Sequence, residues 1–313
     1  MNALSIHNIF RQLKAAADDT SLLAMTQACR ASNLKALDCA PELYLLFPST
    51  GASALAAALV ATWSCELSAA TLGAALTSCA QAGGAPAYTA AQVGQAVADN
   101  ISLSLLSHAN LPTPYGVGIN RELKMIGLSQ GDLMQVKPAE SARFLIISCL
   151  PGDYTPTPGS LILALKTDYG IDLAALATNK AADYTGNFHC WFSQPLSSNG
   201  SKPFPYQQLL VFESTGEAAA LNLAGVFSAI KAYLPAPPPL PETGATIVSA
   251  MLSTGGAGAA PAAVLTALFN GCWDLMTAGA GYNLTCFRIV SFQPAWSAAL
   301  TSTFDALYQQ HQS

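Results

Sequence analysis

Between Leu43 and Asn120 the chain carries only two side chains of the Asp, Glu, Lys or Arg type, Glu66 and Asp99, in a run rich in alanine. So little charge cannot keep a free surface solvated. The stretch has to hide most of its surface in its own core, against the rest of the chain, or against a second copy or another protein partner meeting residues 43–120. Its most lipid-like part, Gly51 to Leu76, is built mainly from Ala, Ser and Thr around Glu66. It lacks the Leu, Ile and Phe density of a membrane span of about 20 residues. No membrane span is expected, and burial must be protein against protein.

The rest of the composition narrows the partners. Charged residues make up 10% and hydrophobic residues 51% of the 313, which excludes disorder for most of the chain. Thirteen Lys and Arg against eighteen Asp and Glu give a net charge of -5, and no two basic residues are adjacent. A nucleic acid, whose backbone demands clustered cations, is therefore not an expected partner. The opening MNALSIHNIFRQLKAAADDT has neither an unbroken apolar core nor a small-residue cleavage site, so no secretory signal and a cytoplasmic location are expected. Eight cysteines without CxxC or CxxH spacing signal no zinc site and no redox dithiol; buried, free thiols are the expectation, with no metal and no cofactor.

Apolar spacing predicts helices over Leu4 to Ala17 and Thr20 to Cys29, a strand over Glu42 to Phe47 ended by Pro48, and a helix over Ala52 to Trp63. Pro112, Pro114, Gly116 and Gly118 mark a loop and a boundary between an Ala-rich accessory region, 1–119, and a second domain, 120–313. Beyond it, Ala142 to Cys149 (ARFLIISC) reads as a central strand covered on both faces. Further strands are predicted over Phe188 to Ser193, Gln208 to Phe212, Thr246 to Leu252 and Thr285 to Phe292. Helices are predicted over Leu161 to Asp168, Ala218 to Leu234, Ala259 to Ala278 and Ala298 to Gln310, with Pro235 to Pro241 a stiff linker. Such alternation predicts an α/β fold, a sheet with helices on both sides.

Two turns carry the candidate chemistry. Ser253-Thr254-Gly255-Gly256-Ala257-Gly258 leads from a strand into a helix. Small residues there let backbone N–H groups converge on an anion, and the helix N-terminus adds partial positive charge. No Lys-Ser or Lys-Thr follows, and no GxGxxG with a later acidic residue is present, so neither a nucleoside-triphosphate loop nor a nicotinamide fingerprint is met. The second turn, Ser148 to Ser160, leaves the central strand at its carboxyl end, where ligands of open α/β sheets collect, and offers Gly152, Asp153, Tyr154 and Gly159. Ordinary turn chemistry accounts equally well for either segment alone.

Taken in order, Gly131-Asp132-Leu133, the Ala142 to Cys149 strand, the Gly-containing turn, Ser253 to Gly258 and the strand ending at Phe292 resemble the motif set of macrodomains, ADP-ribose-binding modules. The resemblance covers about residues 120 to 313 and implies a three-layer α/β/α mixed sheet. It implies that Asp132, with Leu133 beside it, reads the adenine amino group, that Ser253 to Gly258 wraps the diphosphate, and that Phe292 packs on adenine. The family's Asn-Ala-Ala-Asn is replaced here by Ser148-Cys149-Leu150-Pro151 and its glycine run by Thr155 to Gly159, so binding of ADP-ribose or a related NAD-derived nucleotide is implied more strongly than catalysis.

Asp153 is the candidate general base for hydrolysis of an ADP-ribosyl bond, with helix or turn capping as its alternative role. Cys149 with His189 and Cys190 is a candidate thiol–imidazole pair. Trp191, Trp273 and Trp296 are expected to pack in the core. A non-catalytic protein assembling through residues 43–120 stays open beside the nucleotide reading.

Overall fold

A computed structural model describes residues 21–32, 34–111, 124–196, 204–215, 222–234, 245–255, 257–277 and 284–312. The expectations for Leu4 to Ala17, for the 112–118 loop, for Pro235 to Pro241 and for Gly256 lie outside the described residues.

Five helices come first: α1 (Leu22–Ala31), α2 (Ala36–Leu46), α3 (Ala52–Trp63), α4 (Ala69–Thr77) and α5 (Ala90–Asn100). Small polar residues start three of them. Ser21 and Ser68 accept from backbone N–H groups of the first turn, and Thr89 forms a reciprocal capping box with Gln92. The strand predicted over Glu42 to Phe47 is instead the second half of α2. Its buried residues, Cys39, Ala40, Leu43 and Tyr44, recur at helical spacing while Leu45 is exposed. A six-residue apolar run cannot distinguish the two periods, and burial on one helical face decided it despite Pro41 inside the helix. Met25, Leu43, Leu55, Leu59, Trp63, Leu72 and Leu76 share one core, so the charge-poor stretch hides much of its apolar surface within its own bundle.

Eight strands then form one sheet: β1 (Ser104–Leu111), β2 (Lys124–Gln130), β3 (Ala142–Cys149), β4 (Lys180–Tyr184), β5 (Cys190–Ser193), β6 (Tyr206–Glu213), β7 (Ala245–Ala250) and β8 (Leu284–Ser291), in the order β1-β2-β8-β7-β3-β6-β5-β4. The five from β2 to β6 in that order are parallel, and β1 at one edge and β5-β4 at the other are antiparallel. β1 precedes Pro112 yet pairs along its length with β2, so the sheet draws on residues N-terminal to the expected boundary.

The remaining helices are α6 (Leu161–Tyr169), α7 (Leu173–Ala177), the single turn α8 (Thr185–Phe188), α9 (Ala224–Tyr233), α10 (Pro261–Thr277) and α11 (Ser297–Gln312). Alternation along β3 divides them into layers. Phe144 and Ile146 enter a core with residues of α9, α10 and α11, while Leu145, Ile147 and Cys149 enter another with α6, α7 and the Leu133–Gln135 turn. The fold is therefore a three-layer α/β/α mixed sheet, with the first helices as an added bundle.

Two fastenings join that bundle to the sheet. Cys65, just after α3, is disulfide-bonded to Cys286 in β8, with buried Met125 beside them. This corrects the expectation of free thiols for these two; a partner 221 positions away is invisible to a spacing rule. The other six cysteines are free and buried. The second fastening is the buried ion pair of Glu140 and Arg288, 3.2 Å apart, whose carboxylate also accepts from the backbone N–H of Ser102 at 2.8 Å.

Candidate functional site

Because the central strands are parallel, their carboxyl ends line one edge of the sheet. In spatial order these are Gly131-Asp132 after β2, Phe292 after β8, the 251–258 loop after β7, the 150–160 loop after β3, and Glu213-Ser214 at the end of β6. The described candidate residues, scattered over 160 positions of sequence, thus share one edge.

At its β2 end the N–H of Gly131 donates to the carbonyl of Ser291 at 3.1 Å, which ties Asp132 to the strand that leads into Phe292. Gly131 is required by close approach: a Cβ there would stand 2.7 Å from Leu103 Cδ2 and 3.3 Å from the Ser102 carbonyl. One carboxylate oxygen of Asp132, Oδ1, accepts from Met134 N–H at 2.9 Å. The turn behind it is held by Tyr169 Oη on the Met134 carbonyl and Tyr206 Oη on that of Leu133. The side chain of Leu133 lies in the core, so this residue supports the turn. Phe292 is 65% exposed, an apolar ring standing free at a strand end.

The Gly-rich loop is tied to the central strand: Ser253 N–H donates to Ser148 Oγ at 2.9 Å. Within it, Gly258 N–H donates to the Gly255 carbonyl, Ala259 N–H to the Ser253 carbonyl, and Thr254 Oγ1 to the Met251 carbonyl. Gly258 has φ of 68°, suited to glycine, and Ala257 beside it is half-buried. Pro261, with no N–H to lose, opens the 17-residue α10 directly after the loop. Ser253 is unusual in having φ of 60° without being glycine, and its hydroxyl is buried with no hydrogen-bond partner among the described residues. Left-handed backbone and an unsatisfied hydroxyl each cost about 1–2 kcal/mol. Ser253→Gly removes both, against about 0.4–1 kcal/mol of added chain entropy. A gain of about 1 kcal/mol is expected, read as a thermal midpoint raised by roughly 2–4 °C. A lowered midpoint would show that the hydroxyl stabilises the unliganded fold.

In the second loop, Gly152 and Gly159 occupy exposed left-handed turn positions, and Ser160 caps α6 by accepting from Leu163 N–H. Asp153 is exposed, and its carboxylate accepts from Thr155 N–H at 3.0 Å. Hydrogen bonds from Thr155 hold this carboxyl below the usual carboxylate range, which makes it a weaker base. Burial, with Glu213 and Asp153 nearby, pushes the Cys149 thiol up to about 12, and burial pushes Cys190 to about 12 as well. Neither is a thiolate near neutral pH, which removes the basis of a nucleophilic pair with His189. Trp191 and Trp273 are buried and Trp296 packs partly buried against the core, as expected of structural aromatics.

Glu213 was missed by sequence reasoning, which ended its strand at Phe212. It sits beside the loop after β3, and Tyr154 Oη donates to its Oε1 at 2.6 Å. The Tyr154 ring stands edge-on to Trp191 at 5.9 Å. An acidic residue directly after the apolar run Leu209 to Phe212 was the available signal. No group of three His, Cys, Asp or Glu side chains suited to a metal occurs among the described residues.

Fold and edge together define an open α/β/α protein whose polar groups collect where parallel strands end. No family model and no curated protein matches the sequence. Solved macrodomains are similar to it. One from Oceanobacillus iheyensis, solved with ADP, is 10% identical over 65% of this chain and 98% of its own, with a TM-score of 0.45. A Trypanosoma brucei macrodomain solved in complex with ADP-ribose is 14% identical over 63% of this chain and 77% of its own, with a TM-score of 0.41.

Proposed function

We propose that the carboxyl edge binds ADP-ribose or a related NAD-derived nucleotide. The observation that carries this reading is the order of groups along the edge. A carboxylate with one oxygen uncommitted to the turn (Asp132) neighbours a free aromatic ring (Phe292), and next to them comes a small-residue loop that runs into the N-terminus of a long helix. A purine with an exocyclic amino group suits the first pair, and a diphosphate suits the loop. Binding is favoured over hydrolysis of an ADP-ribosyl bond, because Asp153 is committed to Thr155 and weakened as a base.

Titration calorimetry with ADP-ribose, AMP and ribose 5-phosphate tests the reading. The unaltered chain is expected to bind ADP-ribose. Asp132→Asn keeps an oxygen for Met134 but loses the charge, and a charge-assisted hydrogen bond is worth about 1.5–3 kcal/mol, so ADP-ribose and AMP should each weaken about tenfold or more. Ribose 5-phosphate should be unaffected. Absence of ADP-ribose binding would overturn the reading, and equal losses for all three ligands would reduce Asp132 to a turn residue.

A further inference from the structure

We infer that Leu103, with Ser102 before it, positions the turn that carries Asp132, so that recognition of the base depends on how the helical bundle is seated on the sheet; the inference rests on the nucleotide reading above. The two residues lie between α5 and β1, where the bundle gives way to the sheet. The Leu103 side chain, 1% exposed, shares a core with Leu133, Met134 and Val136 of the turn. At the head of that turn Gly131 lies so close to Leu103 Cδ2 and the Ser102 carbonyl that only glycine fits.

The far end of the turn is held from the same side. The Glu140 carboxylate accepts from the N–H of Ser102 at 2.8 Å, from that of Leu103 at 3.4 Å and, within the turn, from that of Lys137 at 3.4 Å. Ala139 packs against the core of the bundle, and Pro138–Glu140 rests on α3 and α5. Residues 131 to 140 are therefore gripped at both ends by the bundle and its exit, while Tyr169 and Tyr206 hold the middle from α6 and β6. β8, which leads into Phe292, is fastened to the same bundle by the Cys286–Cys65 disulfide and to the turn by the Arg288–Glu140 pair. Both groups assigned to the base thus stand on elements that the bundle holds. The Gly-rich loop is instead tied to β3 through Ser148. A hydrogen bond weakens steeply when its partners are misaligned, so a small displacement of Asp132 harms base binding and spares a diphosphate at a loop fastened elsewhere.

Calorimetry on the full chain with ADP-ribose, AMP and ribose 5-phosphate tests this. Leu103→Ala empties the space against Gly131, and should weaken ADP-ribose and AMP about tenfold while ribose 5-phosphate is unchanged. Leu103→Met refills that space and should restore both. Ser102→Ala loses only the hydroxyl bond to Glu140 and should weaken the same two ligands about threefold, which keeps the test open if Leu103→Ala does not fold. Unchanged affinity for ADP-ribose and AMP in a folded variant overturns the inference, and so do equal losses for all three ligands. Hydrogen exchange needs no ligand: the Met134 amide, which donates to Asp132, should exchange about tenfold faster in Leu103→Ala with β3 and β6 still protected. An unaltered chain that binds no nucleotide overturns the nucleotide reading. The exchange rate at Met134 then decides by itself whether Leu103 holds the turn, and an unchanged rate overturns that role.

Discussion

Gly255→Glu is expected to fold normally and to lose at least a hundredfold in ADP-ribose affinity. A Cβ at Gly255 meets nothing within 4 Å, and its φ lies outside the left-handed region, so a side chain enters without moving the loop. The same openness places a carboxylate in the space assigned to the diphosphate. Two like charges brought together at a partly desolvated site, with no cation to offset them, cost on the order of 3 kcal/mol or more, which is the stated hundredfold. Calorimetry on the variant, with circular dichroism as the folding check, reads this directly. A folded variant that retained its affinity would remove the loop from the site. Gly258 is a poorer choice for the test, because at φ of 68° any side chain is strained and a loss of binding there could come from the backbone alone.

The largest stability effect is expected at Glu140. Both it and Arg288 are 2% exposed, and the carboxylate gathers the guanidinium at 3.2 Å, the Ser102 N–H at 2.8 Å and the Ser102 hydroxyl at 2.5 Å. Ser102 joins α5 to β1, so this one side chain connects the helical bundle, the sheet edge and β8. Glu140→Ala leaves a buried cation without its partner and should cost about 3–5 kcal/mol, measured as a lowered urea midpoint with little change in slope. Glu140→Leu combined with Arg288→Met removes both charges at once and should recover much of that loss. A single variant as stable as the unaltered chain would show that water reaches Arg288 and that the pair does not hold the bundle on the sheet.

The readable parts of the fold were those whose residues are buried on two sides or punctuated by strong turn formers. ARFLIISC shows β3 because both faces meet cores, and the Gly and Pro clusters after β3 and β7 show where chain direction changes. β1, SLLSHANL, and β2, KMIGLSQ, escaped for two different reasons, although β2 is buried almost throughout. β1 is an edge strand with polar residues on its open side, and β2 carries a glycine and a serine among its apolar residues. The Pro and Gly residues between them then read as a boundary, whereas the strands on either side pair with each other. Of the candidate site residues, Ser253 to Gly258 and Phe292 stand at the ends of strands read from apolar runs, whereas Asp132 was reached only through the resemblance in motif order. The Glu213–Tyr154 hydrogen bond and the Cys65–Cys286 disulfide join residues 59 and 221 positions apart, and no local pattern encodes such a meeting. Asp153 shows the limit from the other side: its residue type fits a base, but only its hydrogen bonds to Thr155 reveal that the carboxylate is already committed.

The central claim is that one nucleotide spans the carboxyl edge from β2 to β6. Amide shifts of isotope-labelled protein, followed by nuclear magnetic resonance during titration with ADP-ribose, test it most directly. Saturable shifts are expected at Asp132, Ser148, Tyr154, Ser253, Gly255, Gly258 and Phe292, with the amides of α1 to α5 unmoved. Shifts that fail to saturate, or that cluster on the helical bundle while the ends of β2, β8, β7 and β3 stay still, would contradict it.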